Sequence, residues 1–170
     1  MKPSRSINQI ILALAVFAAC ALPSMTQADP RAETPLIYGS YMGSFTLGNP
    51  NPLPFTTFPT LMTFHADGTL VETDGASLVD SPPGQPPNYS SAGHGLWQQV
   101  GPHTFQFKFI SLSVGGDGTL VFSVVVTATV ELTRDGTLRG QSRYQAYDAS
   151  GAAIYGLNGT SVLQAQRITL

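Results

Sequence analysis

Gly93-His-Gly-Leu-Trp-Gln-Gln-Val100, a Gly101-Pro102 pair, then His103-Thr-Phe-Gln-Phe-Lys-Phe-Ile-Ser-Leu112 is the stretch whose reading decides the fold. Its second half sets Phe105, Phe107 and Phe109 against Thr104, Gln106 and Lys108, the period-two signature of a strand with one buried face. The Gly-Pro pair reads as a chain reversal, so the stretch is two antiparallel strands. It also holds the only tryptophan, Trp97, and two of the three histidines, His94 and His103.

The same pattern extends in both directions. Leu36 to Leu47 places Ile37, Gly39, Tyr41, Gly43 and Phe45 in one phase. Thr60 to Ala66 and Thr69 to Asp74 flank Asp67-Gly68, a hairpin turn that uses glycine at positive φ. Thr119 to Leu132 puts Leu120, Phe122, Val124, Val126, Ala128, Val130 and Leu132 on one face, and Thr137 to Tyr147 follows a second Asp-Gly turn. The segment Ala152 to Ile168 closes the chain, with Asn158-Gly159 as a candidate turn within it. Asp-Gly-Thr-Leu occurs at Asp67 to Leu70, Asp117 to Leu120 and Asp135 to Leu138, which reads as recurrent turn chemistry. Gly48 to Pro59 and Gly75 to Gly93 are proline-rich and read as loops.

Eight or nine strands result, and no segment carries a helical stripe. Short connections between neighbours predict an all-β, antiparallel up-and-down barrel over residues 36–170, because closure removes exposed strand edges. Tight turns then gather at one end, and both proline-rich loops at the other, which is the expected mouth. Phe105, Phe107, Phe109, Phe122, Val124, Val126 and Tyr144 are expected to point inward, among Gly140, Ser142 and Ala146.

Charged residues make up 11% of the 170, against about 25% in an ordinary domain. The N-terminus has the form of an export signal over residues 1–28. Lys2 and Arg5 precede an apolar run from Ile10 to Ala19, and Thr26-Gln27-Ala28 forms a small-residue cleavage site before Asp29. Residues 29–35 read as a disordered leader, and the expected location is secreted or periplasmic. The alternative is a lipoprotein, because Phe17-Ala18-Ala19-Cys20 is similar to a bacterial lipobox with Cys20 as the anchor. The apolar run is too short to span a membrane. Loss of Lys2 and Arg5 from eight basic residues leaves six against ten acidic ones, a net charge near −4, and no basic run for nucleic acid.

Gly95-Leu96-Trp97, taken with Arg167 near the C-terminus, resembles the calycin superfamily, the lipocalin-like barrels. In lipocalins the Gly-x-Trp lies on the first strand, whereas three strands precede it here. The resemblance implies a barrel with an apolar pocket, and Arg167 packed over Trp97 in a cation–π contact of about 0.5–2 kcal/mol. The expected ligand is a small apolar or aromatic molecule. Its cavity candidates are Tyr41, His94, Phe105, Phe107, Phe109, Ser142 and Tyr144, with Trp97 and Arg167 as structural residues.

No catalytic signature, cofactor motif or metal-ligand spacing is expected. His65 and His103 fall at one end of the predicted barrel and His94 at the other, about 20 Å away along a six-residue strand. Glu72 and Glu131 are the mid-strand acids, and both read first as solvated outer-face residues; the alternative for Glu72 is acid–base chemistry in a pocket with His65 or Tyr41. Besides binding, two other functions fit the pattern: a barrel-type cyclase or isomerase using an inward His, Glu or Tyr, and a filled structural barrel.

Overall fold

A computed structural model describes residues 37–49, 51, 56–75 and 88–169. Among these, nine strands form: β1 (Gly39–Leu47), β2 (Thr57–Phe64), β3 (Thr69–Asp74), β4 (Tyr89–Ser90), β5 (Gly93–Gln99), β6 (Thr104–Val114), β7 (Leu120–Leu132), β8 (Thr137–Asp148) and β9 (Ala153–Arg167). All strands except β4 pair antiparallel with their sequence neighbours, and β9 returns to β1. The sheet is therefore a closed, up-and-down, eight-stranded barrel. The short β4 is added outside that circuit, on β6.

Hydrogen-bonded neighbours lead from Gly39 through Phe64, Leu70, Gly95, Phe109, Val126 and Tyr144 to Gly159. The amide of Gly48 donates to the Thr160 carbonyl, so Gly159 stands level with Asn49, and one circuit climbs ten residues along β1 (49 − 39 = 10). Eight strands with this stagger enclose an interior just wide enough for packed side chains or one small ligand.

Turn chemistry explains the repeated tetrad. Asp67, Asp117 and Asp135 each accept a hydrogen bond from the threonine two residues on, and the glycine between them has positive φ: 87° at Gly68, 84° at Gly118 and 80° at Gly136. Asp148 does the same with Ser150, ahead of Gly151 at 85°. These bonds hold all four exposed aspartates below the usual carboxylate range.

The turns at His65–Thr69, Gly101–Thr104 and Thr133–Thr137 share one end, here the turn end. The connections after β1, β3, β6 and β8 share the other, the loop end, as the alternation of strands requires. The proline-rich interiors of the two long loops, with Leu53 and Phe55, lie outside the described residues, as do the expected signal and leader.

Three local expectations change. Strand β2 starts at Thr57, with Pro59 opposite Ser44 and one residue past the last β2–β3 pair, Thr60 with Asp74. A proline is tolerated there because the β3 ladder has ended. Asn158-Gly159 is no turn: Gly159 pairs with Tyr144 inside β9. The segment Ala152 to Leu157 is no separate strand either, because it continues into β9 through a bulge. Gln145 faces Asn158 and Tyr147 faces Ala153, leaving the residues between to loop outward, with Gly156 at φ 82°.

Three glycines mark where the barrel wall bends. A Cβ on Gly43 would overlap the Gln164 carbonyl oxygen, one on Gly95 that of Lys108, and one on Gly140 that of Thr129. No side chain can shift to relieve a clash with a neighbouring backbone. Gly118 differs, since its Cβ would meet nothing within 4 Å and only its φ of 84° disfavours a side chain. Gly118→Ala should therefore cost about 1–2 kcal/mol, and Gly95→Ala or Gly140→Ala clearly more, as overpacked sites do. Urea denaturation of the three variants checks this; equal midpoints would contradict the tight approach at the bends.

Candidate functional site

The interior divides into two halves. At the turn end it is an aromatic plug. Phe64 meets Tyr41 edge-on at 5.7 Å, Trp97 at 6.2 Å and Phe107 at 5.7 Å, and Trp97 also packs against Phe105 at 6.0 Å and Tyr38 at 5.6 Å. Leu70, Val130, Leu132 and Leu138 are buried in the same core. The indole Nε1–H donates to the His65 carbonyl at 2.9 Å, which ties β5 to the β2–β3 turn. An indole needs such a partner because its N–H cannot be left dry.

Arg167 lies over Tyr41, 5.2 Å from the ring centroid, and donates from Nη2 to the Tyr41 hydroxyl at 2.6 Å. The cation–π contact is thus made with Tyr41, where the resemblance implied Trp97. Register explains this, since Tyr41 is the direct cross-strand partner of Arg167, whereas Trp97 stands on β5. Burial pushes the Tyr41 phenol upward, partly offset by the guanidinium beside it. Tyr41 is fully buried and engaged, so it belongs to the plug.

Toward the loop end, polar groups join apolar rings such as Phe45, which packs on Phe58 at 5.6 Å. Glu72 on β3 points inward and is 1% exposed, which corrects the reading of it as an outer-face residue. The reason is register. The Asp67-Gly68 turn pairs Phe64 with Leu70 and Met62 with Glu72, and cross-strand partners share a face. Thr60, also buried, donates from Oγ1 to Glu72 Oε1 at 2.6 Å. Glu72 Oε2 has no hydrogen-bond partner among the described residues. It lies where Gly93 lacks a side chain: a Cβ there would sit 3.0 Å from Oε2 and 2.6 Å from Cδ2 of Phe109.

Burial, then the nearby charge of Asp74, push the Glu72 carboxyl up to about 8, against the lowering effect of the Thr60 hydrogen bond. A buried carboxyl with one hydrogen bond and a like charge nearby is held protonated near neutral pH.

Other walls add further polar groups. Ser142 on β8 and Ser161 on β9 are buried and share a hydroxyl–hydroxyl hydrogen bond. Tyr144, one inward step nearer the loop end, has a buried hydroxyl with no partner among the described residues, close to Gly159, and burial pushes its phenol upward. Phe122, Val124 and Val126 continue the inward phase of Ala128 and Val130, yet they are only half-buried. Solvent therefore reaches part of the inner wall here.

Of the sequence candidates, Phe105, Phe107 and Phe109 are buried on the inner face, with Phe107 and Phe109 stacked at 6.2 Å. Ser142 and Tyr144 lie two strands further round the wall, on β8. His94 is exposed on the outer face and takes no part in the lining, because Gly93, Gly95 and Trp97 occupy the inward phase of β5. His65 and His103 are exposed at the turn end. Thr60 and Ser161 were not among the candidates, and Glu72 was one only in the isomerase alternative. The signal for Glu72 was its place opposite Met62 across a recognised turn. No protein-family model matches this chain, and no curated protein matches it either.

The Glu72 assignment has a pH signature. The folded state keeps its proton up to about 8, whereas the unfolded chain releases it near 4.5. Between those values the folded state binds more protons, so stability should fall as pH rises through that window, by about 1.4 kcal/mol per unit at most. Glu72→Gln should abolish the Glu72 part of this slope and be more stable than the wild type near pH 8. Urea midpoints at about pH 5 and about pH 8.5 test the linkage; a slope unchanged in Glu72→Gln would exclude Glu72 as its source.

Proposed function

We propose that this barrel binds one small, mainly apolar or aromatic molecule in the loop-end half of its interior. The observation that carries the reading is a set of polar groups inside an otherwise apolar barrel: Glu72, Thr60, Ser142, Ser161 and the Tyr144 hydroxyl, which has no partner among the described residues. A merely filled barrel gains nothing from burying a carboxyl and an unsatisfied phenol, each of which costs stability. A mostly apolar wall with a few converging polar groups is the usual composition of a ligand site. Phe109 and Val126 would face the body of the ligand, as in the calycin-like pocket that the Gly95-Leu96-Trp97 resemblance implies.

Purified full-length chain should bind N-phenyl-1-naphthylamine, a neutral fluorescent hydrophobe, at one site with roughly micromolar affinity. Val126→Trp, which enlarges a half-buried side chain on that wall, should weaken binding at least about tenfold without unfolding the barrel. No binding of the probe, together with native mass spectra showing only the ligand-free chain, would refute the proposal.

A second reading, a barrel-type isomerase or cyclase, is favoured by one observation: Glu72 is an inward acid held protonated by burial, and Tyr144 adds an inward phenol. In that reading the ligand is a substrate and one of them supplies a proton. Turnover of a bound molecule by wild type, lost in Glu72→Gln with binding retained, separates it from simple binding.

We further propose that the barrel works outside the cytoplasm after removal of residues 1–28. Mass spectrometry of the exported protein should find an N-terminus at Asp29; a lipid-modified Cys20 would instead support the anchored form.

A further inference from the structure

We infer that Glu72 engages its ligand as a carboxylic acid, its Oε2 hydroxyl donating a hydrogen bond to a neutral carbonyl or ether oxygen on an otherwise apolar molecule. The inference rests on the binding reading above and names the ligand class for the same site.

The donor geometry follows from Thr60. Its hydroxyl lies 2.6 Å from Oε1 and 3.5 Å from the Thr73 carbonyl, so its one hydrogen goes to the nearer oxygen; in the neutral acid whose Oε1 accepts that bond, the acid hydrogen is on Oε2. Oε2 is the oxygen without a partner among the described residues. It lies at the gap left by Gly93, beside the edge of Phe109, on a residue only 1% exposed. A donor without a protein partner on an almost fully enclosed residue is the group a ligand acceptor completes.

The surroundings favour a neutral acceptor over an ammonium or a carboxylate. The inward residues around Glu72 are Thr60, Met62 and Phe64 on β2, Gly93, Gly95 and Trp97 on β5, and Phe107 and Phe109 on β6, none of which is charged. On β3 itself Asp74 shares the face, and its negative charge opposes both ionisation of Glu72 and entry of a ligand carboxylate. Tyr41 on β1 stands across Met62, with its hydroxyl held by Arg167 of β9, and Tyr144 comes from β8. An ammonium ligand would need Glu72 ionised, a state that burial resists.

Three probes of nearly one shape test this on the full-length chain: benzophenone with a carbonyl acceptor, diphenylmethane with none, and benzhydrylamine with a cation. Titrations at about pH 6 and about pH 9.5 bracket the ionisation of Glu72, while Tyr41 and Tyr144, both shifted above their ordinary 10.0, stay protonated. At about pH 6 the wild type should bind benzophenone roughly tenfold more tightly than diphenylmethane, and this preference should disappear at about pH 9.5. Glu72→Gln, whose amide keeps a donor that does not titrate, should retain the preference at both pH values. Glu72→Leu should bind both neutral probes equally, with circular dichroism confirming that each variant is folded.

Equal binding of ketone and hydrocarbon by the wild type at about pH 6, or tightest binding of the amine, overturns the inference and leaves the binding reading standing. Failure of all three probes to bind overturns both.

Discussion

One ring ties the barrel walls together. Phe64 of β2 is in edge contact with Tyr41 of β1, Trp97 of β5 and Phe107 of β6, so four strands meet on a single side chain at the turn end. Aromatic pairs in such tilted arrangements contribute about 0.5–1.5 kcal/mol each beyond their burial. Arg167 completes this arrangement from β9 by holding the Tyr41 hydroxyl, so the last strand is tied to the plug as well as to its ladder.

Glycines make that closure sterically possible. Gly43, Gly95 and Gly140 stand on three different strands, each where a neighbouring backbone carbonyl occupies the space of a Cβ. They allow the sheet to bend into a closed circuit, a device common to small barrels. Gly93 serves a different end. Its missing side chain leaves room for the Phe109 ring and the free oxygen of Glu72, which places a polar group against an aromatic one at the boundary between the two halves. Stability and the candidate site are therefore coupled: the bends that close the barrel also bring a carboxyl into it.

Much of this was legible in the chain. The alternation of Phe105, Phe107 and Phe109, the in-phase series from Leu120 to Leu132, and three Asp-Gly turns led to a closed up-and-down barrel with the correct inward faces. The histidines were also placed at the correct ends. His94 was misjudged as lining, although the phase of Gly93, Gly95 and Trp97 already put it outside. The Arg167 contact went to Trp97 by resemblance, whereas register brings Tyr41 beneath the guanidinium. Glu72 was read first as an outer-face residue because a charged residue between Val71 and Thr73 looks like the polar member of an alternation, and only pairing with Met62 reverses that reading.

The sequence by itself determined the period of each strand, the turn types and the order of neighbours, because these depend on local sterics and on glycine, proline and aspartate at fixed positions. Only the tertiary structure decided which members of each face meet across the interior. It assigned Arg167 to Tyr41, joined Ser142 with Ser161, and enclosed Glu72 with one oxygen bound and the other free. Those contacts depend on the register of adjacent strand pairs, Tyr41 with Arg167, Ser142 with Ser161 and Met62 with Glu72, which no single segment specifies.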